Sequence, residues 1–404
     1  MRRREVLGRA LAVSSFPLAG LNGCGGSLGL GAEAEVVPPP GPFTVPLERR
    51  QTHVSLAVRV NGQPLRFLLD TGADHNVLTP RTAQLLGLRL STERVPSSGA
   101  EASDEPVPWT VVDDLAVGEA LHLKREVAFV VPMPVEFDYD GILGATFWRA
   151  FSVRLDYGRA QATLAAPGRL APSPAAVLLP LRVLPGGKML VQATAAGQAG
   201  WFSVDTGDAG AVTLFRPVVE RLGLRAALQP SVRMLTGVSV GGTTWADVAR
   251  LPTFDIGPWQ LPRVPVHLSL ATGGLFGSDA WMGNLGGALW QRFAVTIDAA
   301  GGALYLEPQA ALAEPFAGPR SGLVARWTGE RFDVLDVVGG SPAEQAGVRR
   351  GESLLAVQGR ELAATDAIWL RTQLAGEPGT SVALRLRGAS GQERVVTMVL
   401  RELV

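Results

Sequence analysis

Two long stretches of this chain repeat one another, and the duplication limits the folds open to it. Asp-Thr-Gly occurs at Asp70-Thr71-Gly72 and again at Asp205-Thr206-Gly207, each time after an apolar run, Phe67-Leu68-Leu69 and Trp201-Phe202-Ser203-Val204. Leu86-Gly87-Leu88-Arg89 in the first copy is answered by Leu222-Gly223-Leu224-Arg225 in the second. The glycines lie 87 − 70 = 17 and 223 − 205 = 18 residues past the aspartates. Ser98-Gly99 pairs in the same order with Thr236-Gly237, and Gly141-Ile142-Leu143-Gly144 with Gly283-Asn284-Leu285-Gly286. Finally Phe151 to Asp156 answers Phe293 to Asp298, with equal spacing from Gly144 and Gly286. So long a period marks duplicated domains, because solenoid repeats run at roughly 20–50 residues.

The duplicated acid suggests a chemistry. Two carboxyl groups held a few ångströms apart cannot both ionise, so they share one proton. The ionised partner can take a proton from a water while the protonated one donates to a carbonyl oxygen. Other residue types suit such a pair. Thr71 and Thr206 carry hydroxyls able to bond across to the opposite loop's backbone. Gly72 and Gly207 let the backbone pass close to the carboxylates, where their N–H groups favour the charged form. Gly99 and Gly237, in Gly/Ser/Thr-rich stretches, suit hairpin tips and are expected to be flaps closing over the pair.

The first copy resembles the retropepsin family through Leu68-Leu69-Asp70-Thr71-Gly72-Ala73 and, some seventy residues on, Ile142-Leu143-Gly144. The second resembles it through Val204-Asp205-Thr206-Gly207, with Asp208 in place of the small residue and Asn284 in place of the apolar one. The resemblance implies an aspartic peptidase with Asp70 and Asp205 as catalytic pair, supported by Thr71, Gly72, Ala73, Thr206 and Gly207. It also implies that the apolar-Leu-Gly turn packs beneath each loop, so Asn284 is expected to weaken the second support. Two copies in one chain resemble the bilobal pepsin arrangement, which implies pairing within a monomer. No metal and no cofactor are called for. Asp74 and Asp208 are expected to be structural partners, of arginine for instance.

Composition agrees. Gly 48 and Pro 29 in 404 residues punctuate short Val/Leu-rich runs, favouring strands and tight turns. The expected fold is mainly β: two pseudo-symmetric retropepsin-like lobes plus a small α+β domain. Lys+Arg and Asp+Glu both number 37, so net charge gives no argument for nucleic acid as a partner.

The ends of the chain read differently. Residues 1–23 form an export signal: Arg2-Arg3-Arg4 precedes a modest apolar stretch from Ala10 to Leu21, too short to span a bilayer. Arg3-Arg4-Glu5-Val6-Leu7 resembles a twin-arginine signal, implying that export route. Leu21-Asn22-Gly23-Cys24 resembles a lipobox, so the sole cysteine, Cys24, is the expected lipidation site and residues 24–42 the tether. A periplasmic or cell-envelope lipoprotein is implied, anchored to a membrane. Lobe 1 is placed at 43–174, lobe 2 at 175–308 and a linker at 309–319. Residues 320–404 resemble a bacterial PDZ domain. Val337 to Val348 contains Ser341-Pro342-Ala343 and Ala346-Gly347, and Gly322-Leu323-Val324-Ala325 stands where that family binds a terminal carboxylate. A C-terminal peptide is the implied ligand there, and a peptide or protein the implied substrate of the cleft.

Two other readings compete. A catalytically inactive, peptide-binding lipoprotein is suggested by Asp208 and Asn284. A serine hydrolase is suggested by Gly237-Val238-Ser239-Val240-Gly241 with Asp255 and His267 behind it. That pattern needs a strand–elbow–helix context, and Gly242-Thr243-Thr244 is poor helix material.

Overall fold

The computed structural model describes residues 35–404 except 98, 101–105, 134–136, 240 and 241, so the export signal and Cys24 lie outside the described residues. The described chain lies within one compact unit, Ala32–Val404.

Each half of the duplicated region closes into a six-stranded barrel, and both barrels have the same cyclic strand order. In lobe 1 the ring runs His53–Val60, Gln63–Leu69, Gly141–Leu143, Asn76–Leu78, Leu121–Val130, Val107–Val117 and back to the start. In lobe 2 it runs Met189–Ala195, Gln198–Val204, Gly283–Leu285, Val212–Leu214, Trp259–Ser269, Gly242–Ile256 and back. The local reasons also repeat. Leu56, Val58 and Val60 point into the core while Ala57 and Arg59 face out, the period of a half-buried strand. Asn61-Gly62 (φ 49° and 84°) turns that strand back in a two-residue hairpin, and Ala196-Gly197 (φ 49° and 73°) does so in lobe 2.

A third sheet joins the lobes. Its order is Phe43–Pro46, Gln161–Ala165, Ser152–Asp156, Phe293–Asp298, Ala303–Pro308 and Val177–Pro180. At its centre Ser152–Asp156 and Phe293–Asp298, the matched ends of the repeat, run antiparallel with Leu155 opposite Val295. One continuous core results, including Phe147, Trp148, Val153 and Leu155 from one copy and Leu289, Trp290, Val295 and Ile297 from the other. Trp148 Nε1 donates to Leu143 O (3.1 Å) and Trp290 Nε1 to Leu285 O (2.7 Å), so both indoles tie a short helix to the turn before it.

The C-terminal segment has its own core around Phe332, Leu354, Leu370 and Leu384. Its sheet runs Leu323–Trp327, Phe332–Val337, Ser353–Val357, Ser381–Arg387 and Glu393–Val399, with helices Pro342–Gln345 and Ala367–Leu374. Leu323–Trp327 is an edge strand, with the helix Ala367–Leu374 beside it. Arg250 of lobe 2 holds this segment in place, donating to Val404 O (2.9 Å), Phe316 O (3.1 Å) and Glu402 (3.1 Å). No helix among the described residues is long and apolar enough to cross a membrane.

Candidate active site

Asp70 and Asp205 each stand one residue past the end of a central barrel strand, Gln63–Leu69 and Gln198–Val204. The strand beside each runs parallel to it and ends in the Leu-Gly turn, whose leucine carbonyl accepts the aspartate N–H: Asp70 N to Leu143 O (3.1 Å), Asp205 N to Leu285 O (2.9 Å). Beyond the turn, Ala145 N donates to Ala73 O (2.8 Å) and Gly287 N to Asp208 O (2.7 Å). Only glycine fits the turn itself. A methyl group at Gly144 would lie 2.9 Å from Ala73 O, and one at Gly286 would lie 2.7 Å from Asp208 O.

The two loops meet at their tips. A methyl group on Gly72 would lie 2.6 Å from Asp205 Oδ2, and one on Gly207 would lie 2.5 Å from Asp70 Oδ1. Each carboxylate thus sits against the opposite glycine, and any side chain there would have to displace it. The threonines cross-brace the pair as their hydroxyls suggested. Thr71 N donates to Thr206 Oγ1 (3.1 Å) and Thr206 N to Thr71 Oγ1 (3.0 Å). The same hydroxyls donate onward to Val204 O (2.7 Å) and Leu69 O (2.8 Å) of the opposite strands. Both threonines are buried, so these four bonds are made away from water.

Burial raises the proton affinity of both aspartates. Asp70 is pushed above the ordinary carboxylate range by desolvation, opposed by N–H bonds from Gly72 (2.7 Å) and Ala73 (3.1 Å) and by the positive charge of Lys188. Asp205 is pushed well above that range by desolvation, then by the charges of Asp70 and Asp208. Two buried acids at one spot, both pushed upward and one of them partly by the other's charge, are what a shared proton requires.

Two side chains not anticipated from the sequence clamp the loops from across the lobe boundary. His53 Nε2 bonds to Gly207 O (2.9 Å), and burial lowers the imidazole's proton affinity. Lys188 Nζ donates to Gly72 O and pairs with Asp74 Oδ1 (3.1 Å). These residues are equivalents: 70 − 53 and 205 − 188 are both 17, a match present in the sequence. Thr52 adds a bond to Ala209 O (3.1 Å).

The two departures in the second copy need correcting. Asn284 does not weaken the loop. Its Nδ2 donates to Asp205 Oδ2 (2.8 Å), and its Oδ1 accepts from Ser203, which takes a bond from Trp281 Nε1 (2.9 Å). Asp208 braces its own loop, accepting from Gly210 N (2.8 Å) and Thr213 Oγ1 (3.1 Å). The cation paired with Asp74 is a lysine, and Asp208's hydrogen-bond partners are neutral; neither acid meets the arginine expected.

The flap residues lie away from the carboxylates' own loops. Gly99 precedes the strand Val107–Val117, and its carbonyl accepts from Leu275 N of lobe 2 (3.2 Å), while Ala100 O accepts from Phe276 N (3.0 Å). Gly237 lies on the strand Val232–Ser239 beside a bulge, paired with Thr244 of the antiparallel strand Gly242–Ile256. Ser239 ends that strand and enters a hairpin, with Asp255 near the far end of Gly242–Ile256, so no elbow forms and the serine-hydrolase pattern is not assembled. In the C-terminal segment Gly322 has φ 68° and packs against Ser341, Leu323 points into the core, and Val324 and Ala325 are half-buried on the edge strand.

The aspartyl protease family profile matches residues 56–147 and again residues 191–280. Each lobe matches the aspartyl protease family. One Asp-Thr-Gly loop falls in each match. Among solved structures, a retropepsin-like aspartic protease from Rickettsia conorii is 21% identical, over 33% of this chain and 94% of its own, at a TM-score of 0.24. Basic 7S globulin from soybean is 10% identical, over 66% of this chain and 94% of its own, at 0.40. No curated protein compared matches the chain.

Proposed function

We propose that this protein is an aspartic endopeptidase in which Asp70 and Asp205 activate one water between them. The observation that carries this reading is the convergence of the two carboxylates on opposite glycines, locked by the Thr71–Thr206 cross-brace. The ionised carboxylate takes a proton from water as its oxygen attacks the peptide carbonyl carbon. The protonated carboxyl gives its proton to the carbonyl oxygen, and a tetrahedral diol forms. Proton transfer to the amide nitrogen then lets the C–N bond break, with no covalent enzyme intermediate and no metal. The stretches carrying Gly99 and Gly237 act as flaps that exclude water and pair with the peptide backbone.

The flanking segments belong to the same proposal. Residues 320–404 act as a PDZ domain, adding a peptide strand beside Leu323–Trp327, with Gly322 to Ala325 receiving a terminal carboxylate. The signal and Cys24 place the enzyme on a membrane of the cell envelope, and its lobes pair within a monomer. Asn284 and Asp208, once grounds for a silent binder, support the enzymatic reading by bracing Asp205 and its loop. Incubation with a mixture of unfolded proteins tests it. Cleavage lost in Asp70→Asn and, separately, in Asp205→Asn is expected, and a digest that either variant leaves unchanged would contradict the assignment.

A further inference from the structure

Beneath Asp70 and Asp205 the two lobes use the same backbone register with opposite chemistry. Leu68 stands opposite Ile142 in lobe 1, and Ser203 opposite Asn284 in lobe 2. All four side chains are buried. The apolar pair belongs to a small cluster with Val77 and Val131, while the polar pair is the middle of a hydrogen-bond chain ending on Asp205.

That chain has a direction. An indole N–H only donates, so Trp281 Nε1 gives its proton to Ser203 Oγ (2.9 Å). The serine hydroxyl has one proton and two acceptors in reach, Gly283 O (3.2 Å) and the closer Asn284 Oδ1, to which it donates. The amide is thereby turned with Nδ2 toward Asp205, donating to Oδ2 (2.8 Å). Asp205 also accepts from Gly207 N and Asp208 N on Oδ1 (both 3.1 Å), so both of its oxygens are engaged as acceptors. Among the described residues Asp70 accepts two bonds, both on Oδ1, which leaves its Oδ2 free to hold a proton. Hydrogen bonds to the ionised form favour it.

We propose that Trp281, Ser203 and Asn284 form a one-way hydrogen-bond chain that holds Asp205 as the ionised base of the pair and leaves the shared proton on Asp70. Asn284 is then a positioning residue with no counterpart in lobe 1. The inference rests on the peptidase reading and adds to it a division of labour: Asp205 takes the proton from water, and Asp70 gives its own to the peptide oxygen. The other charged groups facing the pair act against this chain: Lys188 and His53 from the opposite hairpins make Asp70 easier to ionise, and Asp208 on its own loop makes Asp205 harder to ionise, so the three donors to Asp205 are what must outweigh them. The variants below keep Lys188, His53 and Asp208.

The test is the pH dependence of kcat/KM for the wild type, Asn284→Ile, Ser203→Ala, and the double variant Ser203→Leu/Asn284→Ile, which copies the lobe 1 pair. Without the amide donor, ionising Asp205 becomes harder. The acid limb is expected to move up by about one pH unit, a tenfold change in proton affinity, for both variants lacking Asn284. Ser203→Ala, a one-atom deletion that keeps the test available if larger changes impair folding, should shift it the same way by less. An acid limb that stays in place, or an alkaline limb that moves down, would overturn the proposal. The latter is the result for an amide turned the other way and accepting from a protonated Asp205. A wild type that cleaves nothing at any pH would instead remove the peptidase reading beneath it.

Discussion

At the residue scale, the pair trades stability for reactivity. A carboxyl whose folded-state proton affinity is raised adds stability below its unfolded pKa and loses it as pH rises through the folded one. Asp205, raised by burial and by Asp70, therefore costs stability at neutral pH. Asp205→Asn should unfold at a higher temperature than the wild type at pH 7, by about 2–4 °C per kcal/mol relieved, and the gain should shrink toward pH 4. Calorimetry at the two pH values reads this, and a lower midpoint at pH 7 would contradict the electrostatic account. Gly207→Ala places a methyl 2.5 Å from Asp70 Oδ1, so the loops must part. A fall of more than about a hundredfold in kcat/KM is expected, as for ångström-scale misplacement of catalytic groups. Asp70, Asp205 and their glycines and threonines were legible because each is a fixed step in a repeated tripeptide. His53 and Lys188 were not, since equivalent places hold different residue types and equal spacing alone carries no chemistry. Asn284 was misread because its apolar surroundings were assumed, when Ser203 and Trp281 supply polar partners.

At the element scale, the cross-brace is the joint between two strand ends. Thr206→Val removes the acceptor of Thr71 N and the donor to Leu69 O, leaving buried groups unpaired. A loss of about 2–4 kcal/mol is expected from two such bonds, read as a lower denaturant midpoint. A change below experimental error would mean the brace is not structural. The hairpins' clamping groups act on the same loops electrostatically. Lys188 lowers the proton affinity of both aspartates, so Lys188→Met should shift the acid limb of the pH–rate profile upward. Short helices just after each loop were readable in the sequence at Thr82 to Leu86 and Val218 to Leu222, and the helices Pro80–Leu85 and Arg216–Arg221 overlap them. The position of Gly237 on a strand was not, because a bulge between Leu235 and Gly237 shifts the register there.

At the scale of the whole molecule, the repeat predicts two lobes of one fold, and matched barrels joined through Ser152–Asp156 and Phe293–Asp298 are what forms. What the repeat does not reveal is how the C-terminal segment attaches. Arg250 lies in the middle of a lobe 2 strand, and nothing local marks it as the residue that receives Val404 and Glu402. Arg250→Ala should let residues 320–404 unfold as a separate, earlier transition, and a single unchanged transition would show that the attachment lies elsewhere. The proposed chemistry depends on one proton held by two carboxyls. Carbon-13 NMR of protein labelled at the aspartate carboxyl carbons measures this directly. One proton should bind the Asp70–Asp205 pair well above the ordinary aspartate pKa of about 3.9 and the second well below the first. Two independent titrations near that ordinary value would contradict it.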